Sequence, residues 1–241
     1  MNIDTELSAQ IEPFDTFWEA PEDIETGYAK FAKFYKRNYF KYITKNKNIR
    51  TLVVSCGAGY FVELMQKEEY TDVLGIDSDP EKVLYAQKRG LNCRVDNAFS
   101  FLRHNSDPFD LIFAEQEINH LANDEILSFL ELCRLNLNDG GYLIVHSLNG
   151  ANPITGSEAL AQNFNHYNTF TEYSLKQVLQ HSRYHSIKVI PLNLYIFYEN
   201  PLNYIGLFLD KLLAVFFRLN FVFYGKKNNI FTKKIAAVCK K

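Results

Sequence analysis

Short apolar runs alternate along this chain with longer stretches in which apolar residues recur every three or four positions, a pattern of strands and helices taken in turn. Val53–Val54, Val73–Ile76 and Phe109–Ala114 carry such runs, and Tyr142–Leu148 adds one with a continuous apolar centre. Runs that are apolar throughout, rather than at every second position, suit strands buried on both faces of a parallel sheet. A short strand is predicted over Asn92–Val95 and a last one over about Ile230 to Val238. One helix starts after Asp77, where Ser78 or Asp79 can cap it and Pro80 fits its first turn, and reaches about Arg89. Another covers about Asp124 to Asn136, ahead of an Asp139-Gly140-Gly141 turn into the next strand. This order predicts an α/β fold, doubly wound and Rossmann-like.

Two segments stand apart from that alternation. From Gly27 to about Ile43, Tyr28, Phe31, Tyr35, Tyr39 and Tyr42 form an aromatic helix face, and Lys30, Lys33, Lys36, Arg37 and Lys41 fill the remainder. Such a face either packs into the core or lays an aromatic such as Tyr28 or Tyr35 over a ligand. Asn203–Gly225 is unusually apolar, yet Asp210, Lys211 and Arg218 interrupt it, which argues against a membrane span. The readings it leaves are an interfacial or substrate-covering helix, or a helix buried in the core or in a homodimer. Residues 1–48 are thus read as a helical cap on the same domain as 49–241, with a helical insertion at about 200–228.

Chemistry concentrates where predicted strands end. The first strand runs into Ser55, Cys56, Gly57, Ala58 and Gly59, and Asp77 closes the second. Glycines let a turn come close to a ligand, while a carboxylate at the next strand tip can accept both hydroxyls of a ribose. A dinucleotide site, as in a nicotinamide-dependent oxidoreductase, wants a third glycine at the helix start, and Val62 stands there. A nucleoside without phosphates fits better, and S-adenosylmethionine is a common one. Asp96, Asn97 and Ala98 offer a carboxylate and small neighbours for an adenine amino group. Glu115, Asn119 and His120 follow the fourth strand.

Taken together, SCGAG at 55–59, GID at 75–77, DNA at 96–98 and LNDGGYLIV at 137–145 resemble motifs of class I S-adenosylmethionine-dependent methyltransferases. The resemblance covers most of the chain. It implies a seven-stranded, mostly parallel sheet with an antiparallel C-terminal strand. It also implies S-adenosylmethionine bound by Ser55, Cys56, Gly57, Ala58, Gly59, Asp77, Ser78, Asp96, Asn97, Ala98 and Glu115. Trp18–Tyr39 and Asn165–Leu179 resemble flanking segments of members encoded with surface-polysaccharide and lipopolysaccharide genes, which implies O-methylation of a sugar hydroxyl on a glycan or lipid-linked glycan. His166 and His120 are then the candidate catalytic bases. Two departures surround them. Asn119-His120 stands where such members carry Glu-His, and Asn163-Phe164-Asn165-His166-Tyr167 where they carry Asp-x-Thr-His-Glu. Without those carboxylates the imidazoles lose partners that raise basicity, so a catalytically inactive scaffold binding cofactor or glycan stays open.

Composition narrows the partners. With 26 basic and 28 acidic side chains the formal charge is -2, which supplies no bulk attraction to nucleic acid. Lys226, Lys227, Lys233, Lys234, Lys240 and Lys241 nevertheless cluster after the apolar insertion, and basic residues beside an apolar face favour an anionic lipid surface. Cys56, Cys93, Cys133 and Cys239 are scattered, without a CxxC pair, as expected of reduced thiols rather than of disulfides or a metal site. The start of the chain is acidic, through Asp4, Glu6 and Glu12, and lacks a secretory pattern, so the expected location is the cytoplasm or the inner face of its membrane.

Overall fold

The structure, a computed structural model, describes residues 24–115, 117–161, 164, 166–193 and 202–241. Trp18, the acidic residues before it, Asn163, Asn165 and the first positions of the expected insertion lie outside the described residues. Among those described, seven strands form one sheet: β1 (Arg50–Val54), β2 (Asp72–Asp77), β3 (Cys93–Val95), β4 (Phe109–Ala114), β5 (Leu137–Leu148), β6 (His185–Pro191) and β7 (Lys234–Lys240). Their order is β3-β2-β1-β4-β5-β7-β6. β7 runs antiparallel to both of its neighbours, and β1 to β5 pair in parallel. This is the doubly wound, mostly parallel sheet with an antiparallel C-terminal strand that the sequence predicts. The winding reverses between β1 and β4, so the crevice of an open sheet falls beyond the ends of those two strands.

Helices cover both faces: α1 (Ile24–Asn38), α2 (Tyr60–Lys67), α3 (Pro80–Lys88), α4 (Ala98–His104), α5 (Asn123–Leu135), α6 (Gly156–Ala161), α7 (Glu172–His181) and α8 (Leu202–Phe223). Successive strand residues point to opposite faces and so build two cores. Val53, Leu111, Phe113 and Ile144 pack with Tyr35 of α1, Phe61 of α2 and Val83 of α3. Leu52, Ile112, Leu143 and Val145 pack with Phe101 of α4, Phe129 of α5 and Leu175 of α7.

Three boundaries differ from the sequence reading, each for a long-range reason. α1 ends at Asn38, short of Ile43, and a 3-10 turn covers Phe40–Tyr42. The buried Asn38 amide donates back to the Phe34 carbonyl at 3.0 Å and accepts from the backbone N–H and side-chain amide of Asn193, each at 3.0 Å. β5 starts at Leu137 rather than after the glycines, because a bulge opposite Phe109–Leu111 absorbs Gly140 at φ 79°. β7 begins at Lys234 rather than Ile230, since the Asn149 amide captures the Ile230 and Thr232 carbonyls at 3.1 and 2.7 Å.

Candidate functional site

The turn after β1 is wound in the left-handed region three times, at Ser55 (φ 55°), Gly57 (φ 53°) and Gly59 (φ 83°). Ser55 carries a Cβ in this conformation and holds it at a cost of about 1–3 kcal/mol, a strain typical of ligand-binding turns. A Cβ at Gly57 would meet nothing within 4 Å, so the turn's backbone faces open space there. At Gly59 the demand is internal, because a Cβ would come to 2.7 Å from the Leu91 side chain.

Asp77, at the tip of β2, is tied to that turn. Its Oδ2 accepts the Gly57 N–H at 2.7 Å and its Oδ1 accepts the Asp79 N–H at 2.9 Å. Each carboxylate oxygen keeps a further lone pair, enough for one hydroxyl apiece. Ser78 is exposed beside it. Asp79, not Ser78, caps α3, accepting from the Glu81 and Lys82 N–H groups at 2.9 and 3.2 Å. Past β3, the Asp96 N–H donates to the Asp77 carbonyl at 3.0 Å, which holds the two acidic residues side by side along the edge. Asn97 uses its side-chain oxygen to cap α4, at 3.0 and 3.2 Å from the Phe99 and Ser100 N–H groups, and Ala98 is buried as that helix's first residue.

A cavity of about 220 Å³ opens beside the turn. Ser55, Cys56 and Gly57 line one side, Phe31 and Tyr35 of α1 cover it, and Glu115 closes the β4 end. Its floor is rigid, with Phe61 and Phe113 stacked at 3.9 Å between ring centroids and 9° between planes. Larger hollows of about 540 and 580 Å³ lie around Asp139, where β5 begins, on the edge opposite to the one that binds ligands in open sheets.

Glu115 is held by Tyr35 of the aromatic stripe and by a histidine with no expected role. The Tyr35 hydroxyl donates to its Oε2 at 2.6 Å, and the fully buried His146 places Nδ1 3.5 Å from its Oε1. Tyr39 reaches the same His146 Nδ1 at 3.3 Å. Burial alone would raise the Glu115 carboxyl, but the His146 imidazole, followed by Tyr35 and the Lys234 ammonium, outweighs it and holds Glu115 below the usual carboxylate range. Burial, with the Glu115 charge added to it, drives the Tyr35 and Tyr39 hydroxyls well above their ordinary value, so both stay protonated donors. The signal for His146 was weak: one polar residue on the Tyr142-Ile144-His146 face of an otherwise apolar strand.

At the same sheet edge the two expected histidines meet. His120, after β4, and His166, after β5, stand with ring centroids 4.9 Å apart. Asn119 makes the meeting possible. Its Nδ2 donates to the Asn168 carbonyl at 2.7 Å, its Oδ1 accepts the Leu148 N–H at 3.3 Å, and its own carbonyl accepts the Tyr167 N–H at 2.8 Å. The Asn168 amide in turn donates to the Leu121 carbonyl. A buried amide thus clasps the His166 segment onto the exit of β4.

A family model described as a methyltransferase domain matches residues 23–184. No curated protein matches the sequence. Among solved structures, a SAM-dependent methyltransferase from Archaeoglobus fulgidus is similar at 18% identity and a TM-score of 0.65, over 89% of this chain and 94% of that one. A possible histamine N-methyltransferase from Thermotoga maritima is similar at 14% identity and TM-score 0.59, over 90% and 91%. Phosphoethanolamine N-methyltransferase 2 of Haemonchus contortus, solved with S-adenosyl-L-methionine, is similar at 14% identity and TM-score 0.56, over 92% of this chain and 53% of that one. At such identities the likeness is one of fold.

Proposed function

Because the chain belongs to the methyltransferase-domain family, we propose that it transfers the methyl group of S-adenosylmethionine to a hydroxyl oxygen of a glycan or lipid-linked glycan, with His166 as general base and His120 beside it. When bound, the cofactor supplies an electrophilic methyl carbon on a cationic sulfur. The residues present suit it. Gly57 leaves open space beside the turn, the spare lone pairs of Asp77 match two ribose hydroxyls, and Asp96 stands next along the edge for the adenine amino group. Glu115 is a negative charge at the cavity end, complementary to a cationic donor. Tyr35 and Phe31 of α1 line the same cavity.

Transfer to a hydroxyl needs in-line alignment at about 3 Å and a group to take the proton. The His166 imidazole would take the hydroxyl proton as the acceptor oxygen attacks the methyl carbon that a bound donor would supply. The observation that carries this reading is the convergence of His120 and His166 at the ligand-binding edge. The sugar as acceptor rests on the likeness of the flanking segments alone. Labelled methyl transfer to glycan acceptors tests the whole. His166→Ala is expected to lower kcat by about 10²–10⁴-fold, with His120→Ala the smaller loss, while donor affinity stays unchanged. Full rates in both variants would remove the histidines from the chemistry, and donor binding without transfer to any hydroxyl would leave a scaffold.

A further inference from the structure

The 22 residues of α8 make up an apolar helix that the rest of the protein covers on one side only. Phe217 and Phe221, one turn apart, rest on Phe231 at ring separations of 6.1 and 4.8 Å. On the far side Phe208, Leu212, Val215 and Leu219 are 62%, 51%, 60% and 58% exposed. At 3.6 residues per turn these four fall within one narrow outward arc. Apolar surface of this extent on a water-facing helix marks an interaction site.

The charges of the helix identify the occupant. Lys211 and Arg218, two turns apart and exposed, sit together along one border of the outward apolar face. Asp210, the acidic residue of α8, falls on the Phe217 side, and burial raises its carboxyl. Lys226 and Lys227 follow in exposed positions, in a loop fixed to α7 by the Tyr173 hydroxyl, which donates to the Lys227 carbonyl at 2.7 Å. The outer surface is therefore apolar with a basic border, and its carboxylate is turned inward. No helix among the described residues is long and apolar enough to cross a membrane. We propose that α8 lies in the surface of an anionic lipid bilayer, its outward face sunk among the acyl chains and Lys211, Arg218, Lys226 and Lys227 against the headgroups.

The location gives the contact a consequence. The Asn152 amide donates to the Phe231 carbonyl at 2.6 Å, and Lys234 pairs with Leu148 at the end of β5. α8 is thus anchored at the sheet edge that holds the histidine pair. A lipid-bound α8 brings that edge to the bilayer, where an acceptor carried on a lipid would be met.

Flotation of the full chain tests the proposal, with vesicles of phosphatidylcholine alone and of phosphatidylcholine mixed with phosphatidylglycerol. The protein should float with the mixed vesicles, less so as salt rises, and stay behind with the neutral ones. Lys211→Glu/Arg218→Glu and Leu212→Ser/Val215→Ser/Leu219→Ser should each lower lipid partitioning by about tenfold or more, with circular dichroism and melting unchanged because these side chains touch water. Equal, salt-independent binding to neutral vesicles would overturn the anionic part, and flotation of the serine variant like the parent would remove α8 from the contact. Protein that stays unbound while sedimenting as a dimer dissociated by the serine variant would assign the face to a second copy instead. An unbound monomer would overturn the proposal outright.

Discussion

Asn119 shows how one buried side chain ties distant chain segments together. It is 1% exposed, and its amide donor and acceptor are both engaged across three chain segments. Asn119→Asp puts a carboxylate against the Asn168 carbonyl and removes the donor that holds it, so a loss of about 1–3 kcal/mol in stability is expected, read as a lower denaturant midpoint. Glu115 gives the pH dependence. Its carboxyl titrates lower in the folded protein than in the unfolded chain, so its stabilisation is present above the unfolded value and fades as pH falls through the folded one. The melting difference between the protein and Glu115→Gln should be largest near neutrality and shrink in acid. The sequence showed Glu115, His120 and His166 through their motifs. It hid His146, Tyr39 and the clasp of Asn119, because those roles come from partners far along the chain.

Elements were legible where their signals are local. β1, β2 and the turns after them followed from apolar runs, glycines and a capping aspartate; the ends of α1, β5 and β7 did not, being set by Asn38, a bulge and Asn149. The aromatic stripe of α1 packs into the core, the first of its two expected uses. Tyr28 is buried with its hydroxyl on the Ala58 carbonyl at 2.5 Å, inside the glycine turn, and Tyr35 reaches the cavity. Arg89 fastens this helix, bonding Glu25 of α1 and Glu63 of α2 at 2.6 Å each and lying 3.9 Å above the Tyr28 ring. Arg89→Ala should loosen α1, with faster amide exchange there than in β4 and weaker donor binding, since the turn loses its cover. Unchanged exchange in α1 would show that the aromatic packing alone holds it.

At the scale of the molecule, two apolar cores lock a sheet whose winding reverses between β1 and β4, and the reversal gathers the glycine turn, Asp77, Glu115 and the histidine pair on one edge. On the proposed function, that edge receives the nucleoside of the donor. A donor at about one hundred times its Kd should add about 2.7 kcal/mol to stability, which for a chain of this size is a melting shift of about 5–11 °C. Calorimetric titration with S-adenosylmethionine, on the protein and on Asp77→Ala, tests the central claim most directly. Micromolar binding that Asp77→Ala weakens by about a hundredfold, the loss of two charge-assisted hydrogen bonds, is the expected result. A folded wild-type protein that gives no heat with the donor would contradict it.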